Sequence, residues 1–237
     1  MHRPLLLIQI GEPPEAVQET QGQQSDWFVR ALSLKKDDVI IVRPDLGEVL
    51  PDANIVSATI VTGSWRMVTE PDISVEYTAK WLRKAHQQNH PLLGVCYGHH
   101  LLSYALGGKV GYNPAGTEQG LHLLKLISVT DDILLKDIPV HFSAWLSHQQ
   151  TVLSLPDGAK ALAFSAMDKC QVIRYSFTSY SLQFHPEFTW DIMTECIINS
   201  GNIPLAEDGM FQPVWPMVIL KRFYFLYCSS INSSCIH

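Results

Sequence analysis

Pro91-Leu92-Leu93-Gly94-Val95-Cys96-Tyr97-Gly98-His99-His100-Leu101-Leu102 is an apolar run that ends in a cysteine set between two glycines. Leu92–Val95 lacks polar alternation, which predicts a strand covered on both faces. Beyond it Leu101, Leu102, Ala105 and Leu106 follow helical spacing, and Gly107-Gly108 stop the pattern. A strand that turns through Gly-x-Cys-x-Gly into a helix has the form of a nucleophile elbow. The glycines permit a sharp turn in crowded backbone. Cys96 would then stand at a helix N-terminus, where unpaired N–H groups and the helix dipole favour thiolate. A cysteine merely buried between two glycines is the competing reading, and this segment alone does not choose between them.

Upstream, Leu5–Ile10, Val39–Val42 and Ile55–Val61 read as further strands of the same buried kind. Helix candidates lie between them. One begins near Ser25 or Asp26 and runs through Trp27, Phe28 and Leu32. Another begins near Thr69, with Pro71 in its first turn and apolar residues at Ile73, Tyr77, Trp81 and Ala85. Alternating β and α of this kind implies a largely parallel sheet with helices on both sides. Downstream the chain is more β-like. Leu121–Val129, Val140–Phe142, Ala161–Phe164, Val172–Tyr175 and Leu182–Phe184 are strand candidates, with a strong turn at Pro156-Asp157-Gly158 and a last helix over about Thr189 to Ile198.

The 237 residues are 46% hydrophobic, with a formal net charge of -6 and no acidic or basic block. Nucleic acid and an anionic membrane surface are therefore not expected partners. Five cysteines with no CxxC pair argue against a disulfide framework and a metal cage. Leu5–Ile10 is too short for a signal-peptide core, and no stretch reaches a membrane span. The expected location is cytoplasmic, and no cofactor is expected. Without a linker or repeat, the chain is read as one domain over 1–237, its core about 5–200. The stretch from Met210 to His237 is left open between a helix packed on the core and an unusual terminus.

The second informative segment is Leu182-Gln183-Phe184-His185-Pro186-Glu187-Phe188. Two residues apart on an extended chain, His185 and Glu187 fall on one side, and Pro186 stiffens the spacing. The carboxylate can hold the imidazole in one tautomer while the other nitrogen faces a thiol. A strand-end His beside a surface Glu would be the plainer reading of this segment alone. Beside the cysteine elbow, a Cys96–His185–Glu187 set is favoured. His99 and His100 point about 100° apart on a helix, so one metal cannot easily take both. No metal site is assigned; His99 is expected to be packed or exposed and His100 to line the pocket.

Gly94-Val95-Cys96-Tyr97-Gly98 and Phe184-His185-Pro186-Glu187 resemble the two signatures of the class I (triad) glutamine amidotransferases, the family of the glutaminase domain of GMP synthetase. The resemblance covers about residues 5 to 200. It implies an α/β, single-domain, flavodoxin-like fold with a central, mainly parallel sheet flanked by helices. It further implies Cys96 as nucleophile, His185 as base and Glu187 as its orienting group. The oxyanion donors would be backbone N–H groups of Ser64, in Thr62-Gly63-Ser64, and of Tyr97. Gly63, His100, Ser147 and His148 would line the substrate pocket, the last two in a flanking loop that runs through Val152.

The activity so implied is thiol-dependent hydrolysis of glutamine or a related γ-glutamyl small molecule through a thioester. A possible partner is a separate synthetase subunit. Three features depart from the family pattern. His100 stands where Gln is common and Ser64-Trp65 replaces Gly-Pro; as a third departure, no attached synthetase domain is expected. Two alternatives follow, a non-catalytic binding or regulatory subunit that keeps the fold, and a cysteine hydrolase of the DJ-1/PfpI-like type. The latter often has His directly after the nucleophile, where this chain has Tyr97.

Overall fold

The computed structural model describes residues 3–70, 72–127, 132–204 and 211–228. Its first strand, β1 (Leu5–Ile8), is wholly buried because both faces are covered. Leu5 and Leu7 join one apolar cluster, and Leu6 and Ile8 the other. That two-sided burial is why the run carries no polar alternation. Two helices follow, α1 (Glu15–Gln21) and α2 (Gln24–Leu32). The chain then forms β2 (Val39–Val42), β3 (Thr59–Val61), α3 (Ile73–Gln87), β4 (Leu92–Val95) and α4 (Tyr97–Ala105).

Next come β5 (Lys109–Tyr112), β6 (Glu118–Leu126), β7 (His141–His148), β8 (Gln150–Ser154), β9 (Lys160–Phe164), β10 (Val172–Arg174) and β11 (Ser179–Leu182). Two helices, α5 (Trp190–Asn199) and α6 (Val214–Cys228), complete the described chain.

Nine strands make one sheet in the order β2-β1-β3-β4-β11-β10-β9-β6-β7, and β5 pairs with β8 in a small second sheet. From β2 to β11 every pairing is parallel, and this half carries the candidate site. The antiparallel strands β10, β9, β6 and β7 extend the sheet beyond β11. The α/β architecture with a large central sheet and flanking helices is the one expected.

Several boundaries move. The expected strand Ile55–Val61 keeps only Thr59–Val61, because Ala53–Ile55 forms a 3-10 turn capped by Asp52. The expected strand over Leu121–Val129 begins earlier, at Glu118, and its Ser128 and Val129 lie outside the described residues. Of Val140–Phe142, His141 and Phe142 begin an eight-residue strand, β7, and Val140 lies before it. Ser147 to Val152 is not a loop: His148 ends β7 and Gln150 begins β8, so the pocket is flanked by strand ends. The helix read from Ser25 or Asp26 starts at Gln24, with Asp26 closing a capping box onto Gln23.

In α3 the buried face is Val75, Ala79, Leu82 and Ala85, whereas Ile73 and Tyr77 are exposed. Asp72, not Thr69, caps this helix by accepting from the Ser74 N–H at 2.7 Å, and Pro71 lies outside the described residues. The segment left open between two readings forms α6. Its Ile219, Leu220 and Phe223 are fully buried in the cluster that also holds Phe28, Leu93 and Val95. Met210 and residues 229–237 lie outside the described residues.

Candidate active site

Sheet register brings the two sequence signatures together. β4 and β11 are parallel neighbours with Val95 opposite Leu182, and the Cys96 N–H donates to the Leu182 carbonyl at 2.8 Å. The residues just past the two strands, Cys96 and the Gln183–His185 stretch, therefore emerge side by side at the carboxyl end of the sheet. Ligands of open α/β sheets bind in that crevice. Farther along, the His185 N–H donates to the Trp145 carbonyl of β7 at 2.9 Å, which fixes His185 against a third strand.

Cys96 has φ 51° and ψ -102°, a positive-φ conformation that is strained for a residue with a side chain. The flanking glycines make the turn possible through close approach. A Cβ on Gly94 would lie 2.2 Å from the Gly98 carbonyl oxygen, and one on Gly98 would lie 2.3 Å from that of Val61. Gly63, at the end of β3, is equally constrained, since a Cβ there would come within 2.8 Å of His185 Cε1. The sulfur is buried at the start of α4, where its S–H can donate to the Ser147 carbonyl at 3.6 Å.

His185 has one partner on each side. Nδ1 lies 2.8 Å from Glu187 Oε1, and Cys96 is a neighbour at the cavity wall: a Cβ on Gly63 would stand 2.8 Å from His185 Cε1 and 3.7 Å from Cys96 Cβ. Phe188 stacks on the imidazole at 3.8 Å between centroids and 20° between planes, which locks the ring's orientation. Burial works against a charged imidazole here, but the Glu187 carboxylate and the negative charge of Cys96 outweigh it and raise the His185 pKa to about 10. Glu187 is itself buried, so its charge is little screened by water.

These groups open on a cavity of about 470 Å³. Cys96, His185, Gly63, Ser64, Tyr97, His100, Ser147 and His148 all line it, so the structure brings every candidate site residue except Glu187 to its wall, with Glu187 directly behind His185. Ser64 and Tyr97 reach it from the end of β3 and the first turn of α4, where helical N–H groups have no intrahelical partner. His99 is fully buried and bonded to Ser181 Oγ at 2.7 Å, so it is packed.

Two site residues are less available than the sequence suggests. His148 Nδ1 faces the Gln150 carbonyl at 2.8 Å and its Nε2 faces Glu118 Oε2 at 3.0 Å. His100 Nε2 faces Gln183 Oε1 at 2.6 Å. Burial, with repulsion from His148, lowers the His100 pKa to about 3, so the ring is neutral.

Among the described residues, Glu118, His148 and Asp168 form the one grouping with ligand atoms close enough to hold a metal, within 4.8 Å of one another. With both nitrogens of His148 already engaged, a cation would have to displace existing hydrogen bonds. Phe188, Trp145, Glu118 and Gln183 were not singled out from sequence. Only Phe188 had a usable signal there, an aromatic next to Glu187 in the His185 segment.

A doubly wound sheet with a cysteine at a strained strand-to-helix turn, facing a carboxylate-bound imidazole, has the form of a cysteine-nucleophile α/β hydrolase. Comparison with known proteins narrows this class. A family described as "Glutamine amidotransferase class-I" matches residues 21–201. A subunit of the glutamine-hydrolyzing GMP synthase of Archaeoglobus fulgidus is 38% identical over 98 residues, covering 41% of this chain and 52% of that protein. Gamma-glutamyl peptidase 5 of Arabidopsis thaliana is 29% identical over 154 residues, covering 63% of this chain and 61% of that one. Matches to such curated relatives span about half to three-fifths of their length.

In fold, the crystal structure of a glutamine amido transferase from Methylobacillus flagellatus superposes over 100% of both chains with a TM-score of 0.78 at 18% identity. The chain belongs to the class I glutamine amidotransferase family, a family of enzymes. Among the described residues no helix is long and apolar enough to cross a membrane.

Proposed function

We propose that the protein hydrolyses the γ-carboxamide of glutamine, or of a related γ-glutamyl compound, through a thioester on Cys96. The observation that carries this reading is the arrangement at His185, with one nitrogen on Glu187 and the ring beside Cys96 on the wall of one cavity. In this account the Cys96 thiolate attacks the amide carbon. Negative charge develops on the carbonyl oxygen and is met by the backbone N–H groups of Ser64 and Tyr97, each worth roughly 3 kcal/mol where such donors have been removed. His185 as imidazolium gives its proton to the departing amine or ammonia. It then takes a proton from the water that cleaves the thioester. Glu187 stays ionised and holds the tautomer. Gly63, His100, Ser147 and His148 form the wall that receives the γ-glutamyl group.

The names of the relatives support both substrate forms, glutamine and γ-glutamyl compounds, and the GMP synthase relatives support a separate synthetase polypeptide as partner. The test is release of ammonia from glutamine and of p-nitroaniline from γ-glutamyl-p-nitroanilide. Both are expected for the wild type. Cys96→Ala should lower them by about 10⁴-fold or more while leaving the protein folded. A Cys96→Ala protein that keeps the wild-type rate would refute the nucleophile.

A further inference from the structure

An aromatic row runs outward from the His185 imidazole along the cavity. Phe188 stacks on that ring at 3.8 Å between centroids, Trp27 meets Phe188 edge to face at 5.5 Å, and Trp65 meets Trp27 the same way at 6.1 Å. All four rings line the cavity. The inner three are buried, and two of them are tied down: His185 by Glu187, and Trp27 by its indole N–H, which donates to the Gln21 carbonyl at 2.9 Å. Trp65, at the outer end, keeps 37% of its surface exposed. A single exposed indole is ordinary on a protein surface. This one is a wall of the cavity that holds Cys96, and it directly follows Ser64 in the chain.

Amide chemistry gives that adjacency a meaning. The carbonyl oxygen and the leaving nitrogen of an amide are bonded to one carbon. In the proposed mechanism the oxygen meets the Ser64 N–H, so a substituent on the nitrogen starts beside the loop that carries Trp65. The γ-glutamyl group has charged ends and no ring to cover an indole face. Gln119, Ser147, His148, Gln149, Ser200 and Asn202 give it a polar lining instead. The cavity, at about 470 Å³, falls in the range of ~300–1,000 Å³ that encloses drug-sized ligands, and glutamine is smaller than those. The charge next to Trp65 is already matched, because Arg66 pairs with Asp72 and, at 3.7 Å, with Asp45. A carboxylate on the leaving group would have to compete with both.

We propose that Trp65 is a specificity-determining residue, the platform of a leaving-group subsite, and that the substrates are γ-glutamyl amides whose amine part is uncharged and aromatic or apolar, in preference to glutamine. This rests on the γ-glutamyl hydrolase reading and deepens it. An aromatic leaving group covers the indole by offset or edge-on contact, an interaction worth about tenfold in discrimination.

The test reads a ratio, kcat/KM for γ-glutamyl-p-nitroanilide over kcat/KM for glutamine, so that a disturbance of the shared machinery cancels. Trp65→Ala should lower the ratio about tenfold, and Trp65→Phe, which keeps a ring, should restore most of it. A second arm is calorimetric titration of Cys96→Ala with γ-glutamyl-p-nitroanilide. Adding Trp65→Ala should weaken Kd about tenfold, and adding Trp65→Phe should weaken it less. If the wild type hydrolyses both compounds and Trp65→Ala leaves the ratio unmoved, the subsite is refuted and the hydrolase reading stands. If the wild type hydrolyses neither, the hydrolase reading fails and the titration decides the subsite. A Kd that depends on Trp65 sustains it; no binding, or a Kd indifferent to Trp65, overturns it.

Discussion

Among the described residues, two buried imidazole–carboxylate pairs meet at one cavity. In the first, His185 gives Nδ1 to Glu187 and lines the cavity beside Cys96. In the second, His148 gives Nε2 to Glu118 and Nδ1 to a backbone carbonyl, so nothing is left to move a proton. The same two residue types, at nearly the same depth, have one ring nitrogen bound in one place and both in the other. Burial and a charged partner do not separate them. What separates them is whether the ring retains a nitrogen aimed at a reacting group, a question of geometry before pKa.

The sharpest way to break this comparison is to neutralise each carboxylate in turn. Glu187→Gln keeps the shape but lets His185 adopt the wrong tautomer, and kcat for γ-glutamyl-p-nitroanilide should fall by about 10³–10⁴-fold. Glu118→Gln should leave kcat within about tenfold. Its effect should appear in thermal unfolding, because it strands a buried histidine. Breaking a buried pair costs about 3–5 kcal/mol, which lowers Tm on the order of 10 °C in a chain of this size. Equal losses of kcat in the two variants would erase the distinction.

A smaller effect concerns pH. Against the opposing effect of burial, Glu187 and then Cys96 raise the folded-state pKa of His185 from 6.5 to about 10. The stability this pairing contributes is fully present below the unfolded value of 6.5 and is lost as pH rises through about 10. Wild-type Tm should therefore decline between pH 6.5 and 10, and the decline should be flatter in Glu187→Gln. Scanning calorimetry across that range checks it, and parallel curves for the two proteins would contradict the assignment.

The two pairs also differ in how far the sequence announces them. His185 and Glu187 stand two residues apart on an extended run, so local geometry already puts them together. Glu118 and His148 are 30 residues apart on paired strands, and nothing local to either names the other. The fold follows the same rule. β1 and β4 were legible because burial on both faces erases polar alternation. The β5–β8 ribbon was missed because Lys109–Tyr112 has no buried face to leave a pattern. The α3 stripe was misread because two apolar stripes coexist there, and the core takes the smaller Val75 and Ala79 while Ile73 and Tyr77 stay outside.

His100 was correctly expected at the pocket. Its hydrogen bond inside the wall depends on Gln183, which only the folded chain brings near.

The central claim, that Cys96 carries the γ-glutamyl group during turnover, is tested most directly by acid-quenching the enzyme within its first turnovers of γ-glutamyl-p-nitroanilide and mapping the adduct by peptide mass spectrometry. The account predicts one γ-glutamyl thioester, on the peptide that contains Cys96, released by hydroxylamine and absent from Cys96→Ala. An acyl group on any other residue, or turnover that persists in Cys96→Ala, would contradict it.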